Sequence, residues 1–495
     1  MNPFGLPAIG LVVAATVVVG FFGLQLSRTT SDFYVASRTV RPWWNASAIG
    51  GEYLSAASYL GVAGLILLSG ADALWFPIGY TAGYLMLLLF VAAPLRRSRA
   101  YTIPDFAEFR LASKAVRKVT SICVILVCWL YIVPQLQGAA LTVSITAGLP
   151  GWVGPVLVIA VVCLVVMTGG MRSITFVQAF QFWLKFTALA VPAVFLLILV
   201  AGLPETPQAA AQAFGADTGT ADSAAPVRTI SLIVGLLFGT LGLPHVLVRF
   251  YTNPDGRSAR RTTLIVLPLL GAFYLLPTVL GVLGRMFPVD SGKADATVLL
   301  LPAALLPGPG GQFLSALVIA GAFAAFLSST SGLLVSLAGV VSQELFGGSV
   351  RGFRWAAVLG SLLPLAVALF SDATALAGSI GAVFAFTAST LCPLLLLGIW
   401  WRGLTDVGAI AGMIAGAVIC GGASLAAPWA AAAGIGPGLL TDLLNQPAIV
   451  TVPLAFAVMI LGSLLSADRV PRATSSILAR LHTPEDPARQ GFGVR

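Results

Sequence analysis

The polar residues able to do chemistry in this chain are few, and most stand inside apolar sequence. Glu52 and two serines fall in Gly50-Gly51-Glu52-Tyr53-Leu54-Ser55-Ala56-Ala57-Ser58, within an apolar segment over 44–69. Lys185 lies well inside the segment 174–201, and Ser328 and Ser329 lie inside 311–345. Covalent catalysis does not suit this set. The two histidines, His245 and His482, are far apart, and no nucleophile stands beside a base. Cys123, Cys128, Cys163, Cys392 and Cys420 fall in apolar stretches without metal-ligand spacing, so packing is their expected role. The chain is therefore not read as an enzyme. A carboxylate, an amine and hydroxyls inside apolar sequence suit the binding of an ion or a small solute.

The segments that carry them read as membrane spans. Hydrophobic residues make up 58% of the 495 and charged residues 9%, against about 25% charged in a soluble domain. Thirteen stretches are long enough to cross hydrocarbon as helices: 6–25, 44–69, 73–95, 119–147, 152–169, 174–201, 228–250, 262–286, 311–345, 353–371, 374–400, 404–428 and 447–467. A charged side chain at bilayer depth costs about 2.5–3.5 kcal/mol or more, so Glu52 and Lys185 call for a functional reading. For Lys185, snorkelling to the interface or a plain ion pair stands beside that reading.

Charge placement gives the orientation. Arg28, Arg38 and Arg41 follow the first span, and Arg96 to Lys118 hold seven basic residues after the third. Arg172, Arg257, Arg260, Arg261, Arg351, Arg354 and Arg402 follow later odd-numbered spans, and the tail carries Arg469, Arg472, Arg480, Arg489 and Arg495. The connections after spans six and eight carry Glu205, Asp217, Asp222, Asp290 and Asp295 instead. The positive-inside rule then places the N-terminus outside and the C-terminus in the cytoplasm of a multi-pass protein of the cell (inner) membrane. The net charge of +9 is thus a topology signal, aided by anionic lipid, and not a nucleic-acid patch. Arg28 after the first span, with no basic residue before it, reads as an uncleaved helix and not a signal peptide.

The chain divides into 1–43, an outside-start helix and cytoplasmic loop; 44–400, a transport core of two repeats at 44–201 and 228–400; 401–467, two C-terminal helices; and 468–495, a cytoplasmic tail. The loop 202–227 is rich in Ala, Thr, Pro and Asp, and 287–310 holds a short apolar run that suits a lid-like helix. No nucleotide-binding module stands in the sequence, which argues against an ATP-driven pump. The second span (SAIGGEYLSAASYLG) and the seventh (GLLFGTLGLPHVLVRFY) are interrupted by polar or helix-breaking residues, and each opens a group of five spans. Interrupted helices at matching positions of two halves point to the midplane site of a secondary transporter.

On these motifs the chain resembles the sodium:solute symporters, and among them the acetate-type monocarboxylate permeases. The resemblance runs through SDFYVASRTVRPWWNASAIGGEYLSAASYLG, YTIPDFAEFR, TGGMRSITFVQAFQ, GTLGLPHVLVRFYTNPDGRSARR and FLSSTSGLLVSLAGVVSQELF. It implies an all-α fold with a five-plus-five inverted-repeat (LeuT-like) core, discontinuous helices and flanking helices. It also implies sodium as co-transported ion, no cofactor, and a sodium site made by the carbonyls of Gly51, Leu54 and Ala325 with the hydroxyls of Ser328 and Ser329. On spacing alone, Ser328 and Ser329 read as back-bonding to their own helix. For the substrate it suggests Ser55 and Ser58, with Gly239, Thr240 and Phe238 at the expected break of the seventh span. Gln137 in the fourth span is a further candidate donor, with a polar helix–helix contact as the slightly favoured reading.

The sequence departs from the pattern at Gln178, where sugar-type and proline-type members carry an aspartate, and Lys185 follows two turns later on the same face. Glu52, Gln178 and Lys185 are therefore the coupling candidates. Glu52 has three roles open to it: adding charge to the cation site, carrying a proton, or forming an ion pair, with Lys185 as one partner. His245 reads as a hydrogen-bonded packing residue. The function implied is symport of a short monocarboxylate (acetate, propionate, pyruvate) with sodium; proton coupling, and a sodium symporter for an amino acid, are the alternatives.

Overall fold

The computed structural model describes residues 2–24, 34–202, 212, 225–287, 293–371, 376–436 and 438–485. Arg28, Glu205, Asp217, Asp222, Asp290, Asp372, Arg489 and Arg495 lie outside the described residues, as does most of the 202–227 loop. The described chain is helical throughout. Its helices are α1 (Gly5–Leu24), α2 (Pro42–Tyr53), α3 (Val62–Ser69), α4 (Trp75–Phe90), α5 (Ala92–Ser98), α6 (Ile103–Leu111), α7 (Lys114–Ala147), α8 (Val153–Ala201), α9 (Ala225–Gly242) and α10 (Pro244–Tyr251). They continue with α11 (Gly256–Met286), α12 (Thr297–Leu305), α13 (Pro309–Leu345), α14 (Val350–Phe370), α15 (Leu376–Trp400), α16 (Asp406–Ala432), α17 (Leu439–Asn445), α18 (Ala448–Leu465) and α19 (Thr474–His482).

Among the described residues, eleven helical stretches are long and apolar enough to cross a bilayer. Two of these, Ala57–Phe90 and Val153–Ala201, each hold parts of two of the thirteen expected segments. At 49 residues, α8 would run about 74 Å as one straight rod, far beyond a hydrocarbon core of about 30 Å. Gly170 divides it: φ 56° and ψ −162° are open to glycine and strained for other residues. The expected spans 152–169 and 174–201 lie on either side of that bend. Large apolar side chains such as Phe22, Trp152, Ile198, Leu425, Trp429 and Leu465 stand on the outside, as lipid-facing residues do.

The centre is α13, buried along most of its length and packed on α8, α7, α14 and α1. Around it α2 packs on α8 and α11, and α9 packs on α15 and α4. The apolar run in 287–310 forms α12, which packs on α13. After the last span, α19 docks on the bundle: Arg110 donates to Gly398 O and Thr474 Oγ1, and Arg97 to Leu481 O.

Two helices are interrupted in the middle of the bundle. Pro42 opens α2 at a position that needs no N–H, and the helix runs to Tyr53. Leu54 then turns to ψ 84°, and the chain re-enters helix through a wide turn at Ala57–Gly61 before α3. The second break differs from expectation. Gly239 and Thr240 are helical, and the interruption falls at Leu243, with φ −65° and ψ 114°. Pro244 accounts for this, because its ring drives the preceding residue out of the helical region.

The glycine pair before Glu52 serves packing more than distortion, since both residues are helical. A Cβ on Gly51 would lie 2.1 Å from the carbonyl oxygen of Gln178, and one on Gly50 would lie 2.7 Å from the Phe182 ring. Helix α2 therefore approaches the second half of α8 at backbone distance, as small residues allow in membranes. Gly51→Ala is expected to cost at least the roughly 1–3 kcal/mol typical of overpacking. Gly378→Ala, at an open position with no atom within 4 Å, is the neutral control. Thermal melting of the two variants in detergent checks this; equal melting temperatures would refute the close approach.

Candidate ion and substrate site

The break after α2 frees carbonyl oxygens that its own helix no longer uses, and buried carbonyls require donors. Lys185 supplies them. Its side chain is fully buried, so it does not snorkel, and its Nζ donates to Gly51 O, to Leu54 O at 2.7 Å and to Ser328 Oγ at 3.0 Å. An ammonium has three N–H donors, and these three oxygens use all of them. Ser328 Oγ in turn donates to Ala325 O at 3.1 Å, while Ser329 Oγ donates to Glu52 O at 2.7 Å. Ser328 thus bonds back to its own helix and also faces the break, whereas Ser329 reaches across to α2. Of the five groups expected around an ion, Gly51 O, Leu54 O and Ser328 Oγ meet at the Lys185 amine, Ala325 O lies one hydrogen bond away through Ser328, and Ser329 is engaged by Glu52 O.

Beside this lies a second buried network. Glu52 Oε2 accepts from Arg249 Nε at 2.7 Å, and both side chains are 1% exposed. Arg249 also donates through Nη1 to Thr175 Oγ1 at 2.7 Å and through Nη2 to Gln178 Oε1. Gln178 Nε2 then donates to Ser328 O at 2.9 Å and Ser331 Oγ at 3.2 Å. Gln178 therefore ties the arginine to the α13 turn that also faces Lys185. The partner suggested for Glu52 is corrected: it pairs with Arg249, and no hydrogen bond joins it to Lys185 among the described residues. Sequence reasoning passed over Arg249 because it lies one residue from the end of its expected span. The available signal was its place one turn after His245, as a basic residue in PHVLVRFY.

The substrate candidates divide. Ser58 Oγ meets Tyr274 OH at 3.0 Å, and the buried Ser55 hydroxyl has no partner among the described residues. Thr240 Oγ1 meets Tyr53 OH at 3.2 Å and donates to Leu236 O. Gly239 backs closely onto Phe384, where a Cβ would lie 2.4 Å from the carbonyl oxygen. Phe238 is half-buried and packs on Phe456 of α18, so it belongs to a flank of the bundle and not to the break. Gln137 donates to Ser371 Oγ at 3.1 Å, joining α7 to the end of α14. Two residues earlier, Gln135 faces the break in place of Gln137. Its Oε1 accepts from Ala56 N at 2.9 Å in the break of α2, and its Nε2 has no partner among the described residues.

One helical turn before Gln135, Tyr131 belongs to an aromatic group that the sequence did not single out. Tyr53, Tyr80, Tyr84, Tyr131, Tyr274 and Phe384 are buried, and their rings touch in a chain. His245 joins it edge-on to Tyr131, with ring centroids 5.2 Å apart. The hydroxyls of Tyr80 and Tyr84 and both ring nitrogens of His245 find no partner among the described residues, which corrects the expectation of a hydrogen-bonded histidine. Buried polar atoms are paired as a rule, so a cluster of free ones is the mark of a site that meets something polar.

Residues 33–416 match the Sodium:solute symporter family. The chain belongs to that family. It is 30% identical to "Uncharacterized symporter YwcA" of Bacillus subtilis (strain 168) over 481 residues, covering 92% of this chain and 93% of the relative. It is also 30% identical to the "Monocarboxylic acid transporter" of Corynebacterium glutamicum over 509 residues, covering 92% and 90%. Among solved structures it resembles a substrate-bound, outward-open Na+-coupled sialic acid symporter, with TM-score 0.73, 16% identity and coverage of 93% of this chain and 97% of the other. A nucleobase-cation-symport-1 family transporter in a closed conformation is similar at TM-score 0.58 and 12% identity, over 90% and 98%. The fold is thus the LeuT-like inverted-repeat architecture that the resemblance implied. This member of the family is a multi-pass membrane symporter.

Breaking a buried ion pair by removing one partner costs about 3–5 kcal/mol, because the other charge is stranded. Glu52→Gln and Arg249→Gln are each expected to lower the melting temperature strongly, and the double variant by less than the sum. A double-mutant cycle of thermal melts checks this; strict additivity would mean the two side chains do not act as a pair.

Proposed function

We propose that this chain imports a short monocarboxylate, of the acetate, propionate or pyruvate class, by alternating access and coupled to an inward cation gradient. The N-terminus lies outside and the C-terminus in the cytoplasm, as the basic connections suggest. The observation that carries the substrate class is the buried group of free donors beside the two helix breaks. Gln135 Nε2 and the hydroxyls of Tyr80 and Tyr84, all buried and without partners among the described residues, offer hydrogen bonds to a carboxylate. The relative named as a monocarboxylic acid transporter supports the same class.

Charge separates this reading from an amino acid carrier. The fully buried charged side chains beside the breaks are Lys185, Arg249 and Glu52, with the ammonium and guanidinium outnumbering the carboxylate by one. One excess positive charge is neutralised by a monoanion, whereas a zwitterion leaves it uncompensated in low dielectric. For the coupled cation, the family pattern points to sodium and the alternative is the proton. The engagement of three of the expected ion ligands by an internal ammonium favours the alternative.

The test is counterflow in proteoliposomes, with unlabelled acid inside, labelled acetate or pyruvate outside, and protein-free liposomes as blank. Exchange with monocarboxylates but not with amino acids is the expected result; the reverse would end the monocarboxylate assignment. Tyr80→Phe combined with Tyr84→Phe removes hydroxyls that have no hydrogen-bond partner among the described residues, so the melting temperature should hold. A hydrogen bond to a charged group is worth about 1.5–3 kcal/mol, so the half-saturating acid concentration should rise about tenfold or more. Unchanged half-saturation would place the carboxylate elsewhere.

A further inference from the structure

The position of the Lys185 ammonium goes beyond a general coupling role. It occupies the point on which Gly51 O, Leu54 O and Ser328 Oγ converge, with distances of 2.7 Å to Leu54 O and 3.0 Å to Ser328 Oγ. We propose that Lys185 is a built-in substitute for the metal cation of this cradle, so that the wild-type chain does not bind sodium there. The inference rests on reading those oxygens as a cation cradle, which is part of the proposed symport.

Three physical arguments carry it. Occupancy is the first. A sodium ion and an ammonium need the same oxygen lone pairs, and the ammonium is attached to the chain while the ion must be recruited from solution. Charge is the second. Two cations within a few ångströms repel strongly in a buried setting, where the interaction is far less screened than in water. The third is the absence of relief nearby. Helix α1 carries no titratable side chain, and the one acidic residue of α13, Glu344, is engaged with Arg117 at the helix end. Helix α2 contributes the one carboxylate beside the cradle, Glu52, whose Oε2 accepts from Arg249 of α10 at 2.7 Å while its Oε1 has no partner among the described residues. Its single negative charge already faces the Arg249 guanidinium, so it does not balance two further cations.

A lysine that only staples the broken helix would predict the same hydrogen bonds, so the test must read the cation itself. Purified protein is melted in choline, potassium and sodium chloride at matched ionic strength. The wild type is expected to melt alike in all three salts. Lys185→Ala bares the oxygens and is expected to melt at a lower temperature in choline but to be raised selectively by sodium, by several degrees. Sodium-specific stabilisation of the wild type would overturn the proposal by itself, without any variant. If Lys185→Ala does not fold, Lys185→Met keeps the aliphatic stem and removes the ammonium; a folded variant with no response to sodium would equally overturn it. These melts contain no substrate, so their outcome is separate from that of the counterflow assay. Pyruvate uptake into sodium-free proteoliposomes adds a transport readout. Undiminished uptake with choline replacing sodium on both sides is expected, and uptake that requires sodium would overturn the proposal.

Discussion

The constraint on which the centre of this protein depends is the interruption of a transmembrane helix at Leu54. A helix that stops in the bilayer leaves carbonyl oxygens that neither water nor lipid can satisfy, and each costs several kcal/mol if left alone. The sequence meets this with donors from two other helices. Lys185 reaches across from α8 to Gly51 O and Leu54 O, and Ser329 reaches from α13 to Glu52 O. Gln135 of α7 receives the Ala56 amide on the far side of the break. The helices around the break are therefore held by what the break itself exposes.

That arrangement explains why the surrounding positions are so small and so polar. Gly51 has no room for a Cβ because α2 must come close enough to α8 for the lysine to span the gap. Gly332 is equally confined, since a Cβ there would fall on the Glu52 carboxylate. The Glu52–Arg249 pair and Gln178 tie α2, α8, α10 and α13 into one network, and α10 exists as a separate helix because of the second interruption. A shift at either break must move groups that both networks share.

Much of this was legible in sequence, though unevenly. Apolar length and the alternation of basic connections marked the spans, and Gly-Gly-Glu in one span and Gly-Leu-Pro in another marked the two interruptions. The exact place of the second break was misread because Gly239 and Thr240 looked more disruptive than Leu243; the steric reach of Pro244 over its predecessor decided the matter. Side-chain reach was not legible. Lys185 and Gln178 share a helix face, but nothing in their spacing says that one ends on the carbonyls of α2 and the other on Arg249. The tyrosines illustrate the same limit: Tyr80 and Tyr84, one helical turn apart, are indistinguishable in sequence from ordinary packing residues. Gln135 and Gln137 were equally plausible by composition. Two residues apart on a helix, they point different ways, and only one faces the break.

The charges at the centre connect the cation problem to the substrate. Glu52 and Arg249 neutralise each other through a direct hydrogen bond, which leaves the Lys185 ammonium as an uncompensated charge in the core. In a low-dielectric interior such a charge is tolerable where dipoles and a counter-ion share it. The carbonyls of Gly51 and Leu54 supply the dipoles. On the proposed reading, a carboxylate bound in the aromatic group would supply the counter-ion and make the loaded core neutral where these three side chains alone do not. The same reading favours a short acid over a bulky one, because Tyr53, Tyr80, Tyr131, Tyr274 and Phe384 are already packed against one another.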